Sequence, residues 1–431
     1  MSTVTKIKDN FIDLIKNLPD DWELSKNKYA FSKITNGKNM SDITDVLSLT
    51  INGIQIKEDL TFGKTSKSYI GHQLVKAGDL VFTPRDFDQT PILSDVSKYD
   101  GCISNLYIVD RPNDEFLPEY INYFWHGLKY SFDYFKNFSY GIRFSFNREQ
   151  FDEIPILKPS LNEQKIICTY LDDKLKHIDS LTKKIHRKIN LLKEQKTSLI
   201  NQCVTKGLNP NVEMKESGVE WIGKIPKHWE VTKIKYLCPN GVQYGLNSES
   251  DSYKEKGVRF VRTTDITPDG RLKDTGGVYL SSDDVPPEYF LQKNDILFSR
   301  SGSVGKSIRI RKSDPNMAFA GYLVRISFED DDLSKFVKWI SESGLFWNWI
   351  YIQSTKSTIP NVSAEKYSNF NFPLPSRDEI EAINLFLKDK IYRIDKNIYN
   401  LELKTRLLLE YHQSLISSVV TGKVRITKDM L

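Results

Sequence analysis

From Leu161 to Thr205 the chain runs without proline or glycine, and its apolar positions recur at alternating steps of four and three. Leu171, Leu175, Ile178, Ile185, Ile189, Leu192 and Leu199 lie on one ladder, with Thr182, Lys196 and Cys203 on its other rungs. That spacing predicts a long amphipathic helix with a coiled-coil type seam. The pattern returns 216 residues later, from Pro375 to Thr421, where 18 of the 47 pairs starting at Pro159/Pro375 are identical without a gap. The second ladder is Leu387, Ile391, Ile394, Ile398, Leu401, Thr405, Leu408, His412, Leu415 and Val419. Ser160 with Glu163, and Ser376 with Glu379, form S-x-x-E capping boxes that set both helix starts. Two long helices with one pattern in one chain predict a seam formed between them.

The repeat is larger than the helices. Leu18-Pro19-Asp20-Asp21-Trp22-Glu23-Leu24 returns as Ile225-Pro226-Lys227-His228-Trp229-Glu230-Val231, so each half opens on a [LI]-P-x-x-W-E lead. Ala77-Gly78-Asp79-Leu80-Val81-Phe82 reads as a strand leaving a turn, and Lys293-Asn294-Asp295-Ile296-Leu297-Phe298 echoes it at the same offset. The rest of the two inserts barely matches, as expected where a shared framework reads different ligands. The boundaries that follow are an arm at 1–16, a first globular domain at 17–159, a long helix at 160–207, a linker at 208–223, a second globular domain at 224–375, a second long helix at 376–422 and a tail at 423–431. The aromatic run Asp114–Phe146, including Tyr120, Phe124, Trp125 and Tyr140, reads mainly as a packing helix, and Ser334–Ile352 as its counterpart. The expected fold class is α/β (α+β): two mixed α/β domains separated by a pair of long antiparallel coiled-coil-like helices, with a pseudo-two-fold internal repeat.

Composition adds limits. A chain of 431 residues with 39% hydrophobic residues builds two or three ordinary cores. The net charge of +5 is modest, but its distribution is uneven. Residues 161–207 hold ten Lys/Arg against five Asp/Glu, and residues 293–325 hold seven against two. Such local basic stretches suit a phosphate backbone. Four scattered cysteines without a C-x-x-C fit a reducing, cytoplasmic setting. The first residues do not read as a signal peptide.

Catalytic motifs are missing. Gly302-Ser303-Val304-Gly305-Lys306-Ser307 has two residues between its glycines where a P-loop needs four. In Asp284-Val285-Pro286-Pro287-Glu288-Tyr289, Val285 separates the acid from the prolines, which departs from the D-P-P-Y of adenine methyltransferases. The six histidines show no metal-ligand spacing. No metal or catalytic residue is therefore assigned. What remains is recognition. Arg300, Ser301, Ser303 and Lys306 belong to a small, basic loop after a strand, able to approach a duplex closely. Arg85, in Thr83-Pro84-Arg85, takes the equivalent place in the first half. Arg262 with Thr263, and Tyr140 with Arg143, are further candidates.

At this point the chain resembles the specificity subunits of Type I restriction-modification systems. The residues that carry the likeness are Glu216-Ser217-Gly218-Val219-Glu220-Trp221-Ile222-Gly223-Lys224-Ile225-Pro226-Lys227-His228-Trp229-Glu230, the Pro-x-x-x-Glu-Gln lead at Pro159–Gln164, the helix end Ser198–Gly207, and Ile296–Gly305. The second helix lacks the glutamine, with Ile380 in its place. The resemblance implies two target-recognition domains, each reading one half of a split double-stranded DNA target. It implies two methyltransferase subunits docked on the helices and restriction/translocation subunits joining them. S-adenosylmethionine, ATP and Mg would then belong to those partners, with no cofactor in this chain. A helical scaffold that binds protein only is the alternative the ladders alone allow. The two unlike basic inserts argue against it.

Overall fold

The computed structural model describes residues 18–32, 37–41, 44–58, 68–85, 90, 92–132, 135, 145, 147–267, 269–311, 316–354 and 360–431. The arm at 1–16 lies outside them. Two compact units divide the chain, Met1–His186 with Glu402–Leu431, and Arg187–Leu401. The division falls inside both long helices rather than at their ends, because each helix part packs with its own globular part. No helix among the described residues is long and apolar enough to cross a membrane.

In the first unit the order is β1 (Glu23–Lys26), α1 (Asn27–Ala30), β2 (Leu47–Thr50), β3 (Gly53–Ile56), β4 (Gln73–Val75), β5 (Leu80–Phe82), β6 (Ser94–Val96), β7 (Gly101–Ile103), β8 (Ile108–Asp110), α2 (Pro118–Phe132), α3 (Arg148–Asp152) and β9 (Pro155–Lys158). The first part of α4 (Leu161–Lys206) and the last part of α8 (Arg377–Val420) complete it. β5 is fully buried between β6 and β8, both antiparallel to it. The aromatic run behaves as core: Tyr120, Phe124 and Trp125 are fully enclosed. Trp125 meets Phe82 edge-on at 5.0 Å, and Phe151 lies 5.2 Å from Phe82.

The second unit contains β10 (Met214–Glu216), β11 (Lys224–Pro226), β12 (Glu230–Lys233), β13 (Val242–Tyr244), β14 (Val258–Val261), β15 (Val278–Leu280), β16 (Ile296–Ser299), β17 (Ser307–Arg309), β18 (Met317–Phe319), β19 (Leu323–Ile326), α5 (Asp331–Glu342), α6 (Gly344–Ser354), α7 (Ala364–Ser368) and β20 (Asn371–Leu374). Its larger sheet runs β13-β19-β16-β17 and is antiparallel throughout. A smaller sheet, β15-β14-β18, contains one parallel pair. Two expectations change here. The stretch at 208–223 is not a bare linker, since Met214–Glu216 pairs with Lys224–Pro226 in a short hairpin. The single helix expected over Ser334–Ile352 is two, broken at Ser343 and Gly344, where the Ser343 hydroxyl donates back to Ile340 O at 2.6 Å.

The duplication holds at the level of single bonds. β1 pairs with β9 and β12 pairs with β20, so each W-E lead is fastened to the strand before its long helix. Asp79 and Asp295 are both buried, and each accepts from the backbone three residues earlier, Lys76 N at 2.7 Å and Gln292 N at 2.8 Å. Gly78 has φ +91°, and Asn294, at the same repeat position, has φ +74°. Both halves therefore need the left-handed turn before the central strand, a conformation that costs an ordinary L-residue about 1–2 kcal/mol. Open space surrounds the Cβ position at Gly78. Gly78→Ala is accordingly expected to lose about 1 kcal/mol by backbone strain alone, and Gly78→Asn distinctly less. Chemical denaturation of the three proteins checks the order.

The two ladders meet each other. In the first unit Leu171, Leu175 and Ile178 share one core with Ile416, Val419 and Val420, with Leu408 and Leu415 packed against it. In the second unit the polar rung Lys196 donates to Asp395 at 2.8 Å. Low numbers on α4 thus meet high numbers on α8 and the reverse, so the pair is antiparallel and the seam intramolecular. Ile185, Ile189, Leu387, Ile391 and Ile394 are buried, while Leu192 and Leu401 are half-buried. A charged rung answered by one opposite charge favours a single register over slipped ones.

The helix starts differ in a telling way. Ser376 and Glu379 form the full box, each backbone N–H reaching the other side chain at 3.4 Å, and Glu379 also takes Trp229 Nε1 at 3.2 Å. At the first start, Ser160 accepts from Glu163 N at 3.3 Å, but the Glu163 carboxylate turns to Arg425 Nε at 3.0 Å. Gln164 is buried there and accepts from Leu117 N at 2.8 Å while donating to Glu115 O and Pro159 O, each at 3.0 Å. The glutamine of the lead is thus a local tether between strand, α2 and α4.

Candidate nucleic-acid interface

β16 ends at Ser299, and the chain turns through Arg300–Lys306 before β17 returns. Gly302 and Gly305 both take positive φ. A methyl group at Gly305 would stand 3.0 Å from the Trp347 ring and 3.2 Å from Ile350, so the loop lies tightly on α6. Its base is held by backbone bonds: Arg300 N to Tyr322 O at 3.0 Å, and Val362 N to Arg300 O at 2.9 Å. Ser303 and the glycine before it are exposed, while Ser301 and Lys306 are half-buried.

The Arg300 guanidinium lies 4.5 Å over the ring of Tyr244. Its Nε is enclosed and has no hydrogen-bond partner among the described residues, and its terminal nitrogens are not enclosed. Neighbouring arginines of the unit are engaged instead. Arg309 donates to Asn294 at 2.8 Å and pairs with Asp331 at 2.6 Å. Arg325 donates to Phe290 O at 3.0 Å, and Arg377 pairs with Asp330 at 3.1 Å.

Arg262, expected as a contact, is also engaged. It closes on Asp265 through Nη2 at 3.0 Å and Nε at 3.2 Å, and it donates to Gly276 O at 3.2 Å. That pairing with the buried Asp265 raises its pKa and fixes the turn Thr263–Asp265. The Thr263 hydroxyl is enclosed without a hydrogen-bond partner among the described residues. The structure thus gives Arg262 an internal role and sets Arg300 apart.

In the first unit Arg85 is exposed after β5, and it bridges Ser145 as Ser301 bridges Asn361. These two bridges are equivalent at the repeat offset, so Arg85 stands where Ser301 stands. The Thr83 hydroxyl donates to Arg85 O at 3.2 Å. Tyr140 and Arg143 lie outside the described residues. The residue that sequence reading missed is Tyr244. It sits 56 positions before Arg300, and no spacing rule joins them; strand order does, through β13-β19-β16.

Acid titration bears on the scaffold under this loop. The Lys335 side chain beside Asp331, with Arg309 near it, lowers the Asp331 pKa from 3.8 to about 2. A depressed carboxylate contributes stability above its unfolded pKa and loses it as pH falls through the folded one. The second unit is therefore expected to weaken between about pH 4 and pH 2, and Asp331→Asn to flatten that decline. Hydrogen exchange of β16 and β17 amides against pH measures it.

Strand pairing and helix placement together define a duplicated mixed α/β scaffold. Comparison with known proteins agrees. Residues 19–191 match the family described as Type I restriction modification DNA specificity domain. The MjaVIII specificity subunit of a Type I restriction enzyme from Methanocaldococcus jannaschii is 24% identical over 294 residues, 65% of this chain and 64% of that one. A protein of the same organism bearing the MjaX specificity-subunit name is 23% identical over 436 residues, covering 96% of both. Among solved structures, a chain from work on complex assembly and conformational transition of the type I R-M system superposes with a TM-score of 0.72 at 14% identity, covering 94% of this chain and 99% of that one. The HsdS subunit from Thermoanaerobacter tengcongensis gives 0.51 at 16% identity, covering 94% and 98%. Residues 19–191 thus match the Type I restriction modification DNA specificity domain, and the chain as a whole is similar to specificity subunits of Type I restriction enzymes.

Proposed function

We propose that this chain is the sequence-specific DNA-binding subunit of a Type I restriction-modification complex. Each globular part reads one block of a split target, and the long helices dock methyltransferase subunits. Methylation and cleavage, with S-adenosylmethionine, ATP and Mg, are the work of methyltransferase and restriction/translocation partners. The observation that carries the reading is Arg300: a half-buried cation, held against a ring, with no carboxylate answering it among the described residues. A guanidinium kept in that state is suited to an external acceptor such as a base edge. Docking is supported by Leu385, Tyr392 and Tyr399, spaced seven apart on α8 and each at least 65% exposed, an apolar stripe away from the seam. The protein-only scaffold reading leaves the unanswered Arg300 without a role.

Arg300→Ala is expected to erase base preference at one position of one block and to leave the other block intact. Selection from randomised duplexes by the full chain in its complex measures this. Uniform weakening over all sequences would make Arg300 a phosphate contact instead.

A further inference from the structure

Arg300 is anchored at its main chain on both sides, yet its long side chain has no acceptor among the described residues. What holds it is one aromatic face. Tyr244 ends β13, where its backbone is paired with Val324 of β19. Its hydroxyl accepts a hydrogen bond from Ala364 N, at the start of α7, at 3.0 Å. The ring is thus fixed at both ends, by the sheet below and by a helix start above. The residue after it, Gly245, could not carry a side chain, because a Cβ there would stand 2.2 Å from Ala320 O. Ring and guanidinium are brought within 4.5 Å by residues at the ends of two separate strands, β13 and β16.

The comparison within the unit sharpens this. Arg325 also lies over a ring, Phe319 at 5.1 Å, but it bonds Phe290 O and faces Asp295. Arg262 is 6.0 Å from Tyr253 and locked to Asp265. In those two the ring accompanies an internal polar partner. At Arg300 the ring acts without one. The ring contact restrains the planar donor while its terminal nitrogens are not enclosed, so the entropy of ordering a long side chain is lost before the ligand arrives.

We propose that Tyr244 is a positioning residue, which presents the Arg300 guanidinium as a preformed flat donor to one base edge of duplex DNA. The edge must offer two acceptors in the plane of the fork, as the major-groove side of guanine does. This rests on the DNA-reading function proposed above, and the test separates the two.

The full chain in its complex is offered randomised duplex DNA as wild type, Tyr244→Phe, Tyr244→Leu and Arg300→Lys, with circular dichroism melting of each as a check on folding. Tyr244→Phe keeps the ring face and is expected to retain base preference within about twofold. Tyr244→Leu and Arg300→Lys are each expected to lower discrimination about tenfold at one and the same position, with the other block unchanged. Combining Tyr244→Leu with Arg300→Lys is expected to add little, since both remove one presentation. Retained preference in Tyr244→Leu beside loss in Arg300→Lys would overturn the role of the ring. Should the leucine protein fail to fold, Arg300→Lys decides, because it keeps the charge and every main-chain bond; preference unchanged in that variant would overturn the proposal equally. A wild type without any base preference would instead overturn the DNA-reading function itself.

Discussion

Inserting seven residues into both long helices, after His186 and after Leu401, is expected to lengthen the unread gap of the target by about three base pairs and to leave both blocks unchanged. A whole heptad returns Ile189 and Leu408 to the seam with their phase intact. Seven residues at ~1.5 Å each add roughly 10 Å of helix, and duplex DNA rises ~3.4 Å per base pair. Both insertions fall where the two compact units divide, so neither globular part is cut. An insertion of three residues is the matched control. It breaks the heptad phase between the residues before and after each insertion, and it is expected to abolish assembly rather than to change the gap. Sequence selection or mapping of methylated adenines measures the outcome. Altered blocks at an unchanged gap would show that the helices do not set the spacing.

Trp125→Ala is expected to destabilise the first unit by about 3–5 kcal/mol, the range for emptying a buried tryptophan site. The ring is fully enclosed and is met by Phe82 at 5.0 Å, Phe151 at 5.3 Å and Phe31 at 5.9 Å. Three rigid aromatics fixed by β5, α3 and the end of α1 cannot collapse into the void, so the cavity term adds to the lost transfer energy. Nε1 donates to Asn27 Oδ1 at 3.3 Å, and Asn27 in turn donates to Phe151 O at 3.0 Å. Removing the ring leaves a buried amide oxygen short of a partner. Hydrogen exchange should accelerate in β5 and α2 while β16 and β19 keep their protection. A loss below about 1 kcal/mol would mean that the aromatic cluster is not the keystone of this core.

Much of this architecture was readable because it rests on local chemistry. The helix expected from Leu161 to Thr205 is Leu161–Lys206, and the one expected to start near Pro375 is Arg377–Val420. A 4-3 ladder without helix breakers leaves few alternatives. The turn before β5 and β16 was legible from Gly78 and Asn294, residue types that tolerate positive φ. The pairing of Arg262 with Asp265 was also within reach, since an i,i+3 arginine–aspartate lies in one short turn. The Arg300–Tyr244 stack was not legible. It depends on β13 lying beside β19, a long-range pairing that alternation along the strands does not specify. The hairpin at Met214–Glu216 escaped because its residues are exposed or half-buried and carry little periodic signal.

The most direct test of the central claim is selection of bound sequences from fully randomised duplex DNA by the wild-type chain assembled with its methyltransferase subunits. Two short specified blocks, separated by a gap of fixed length and no base preference, are the predicted result. One contiguous block, or no enrichment at all, would contradict the account.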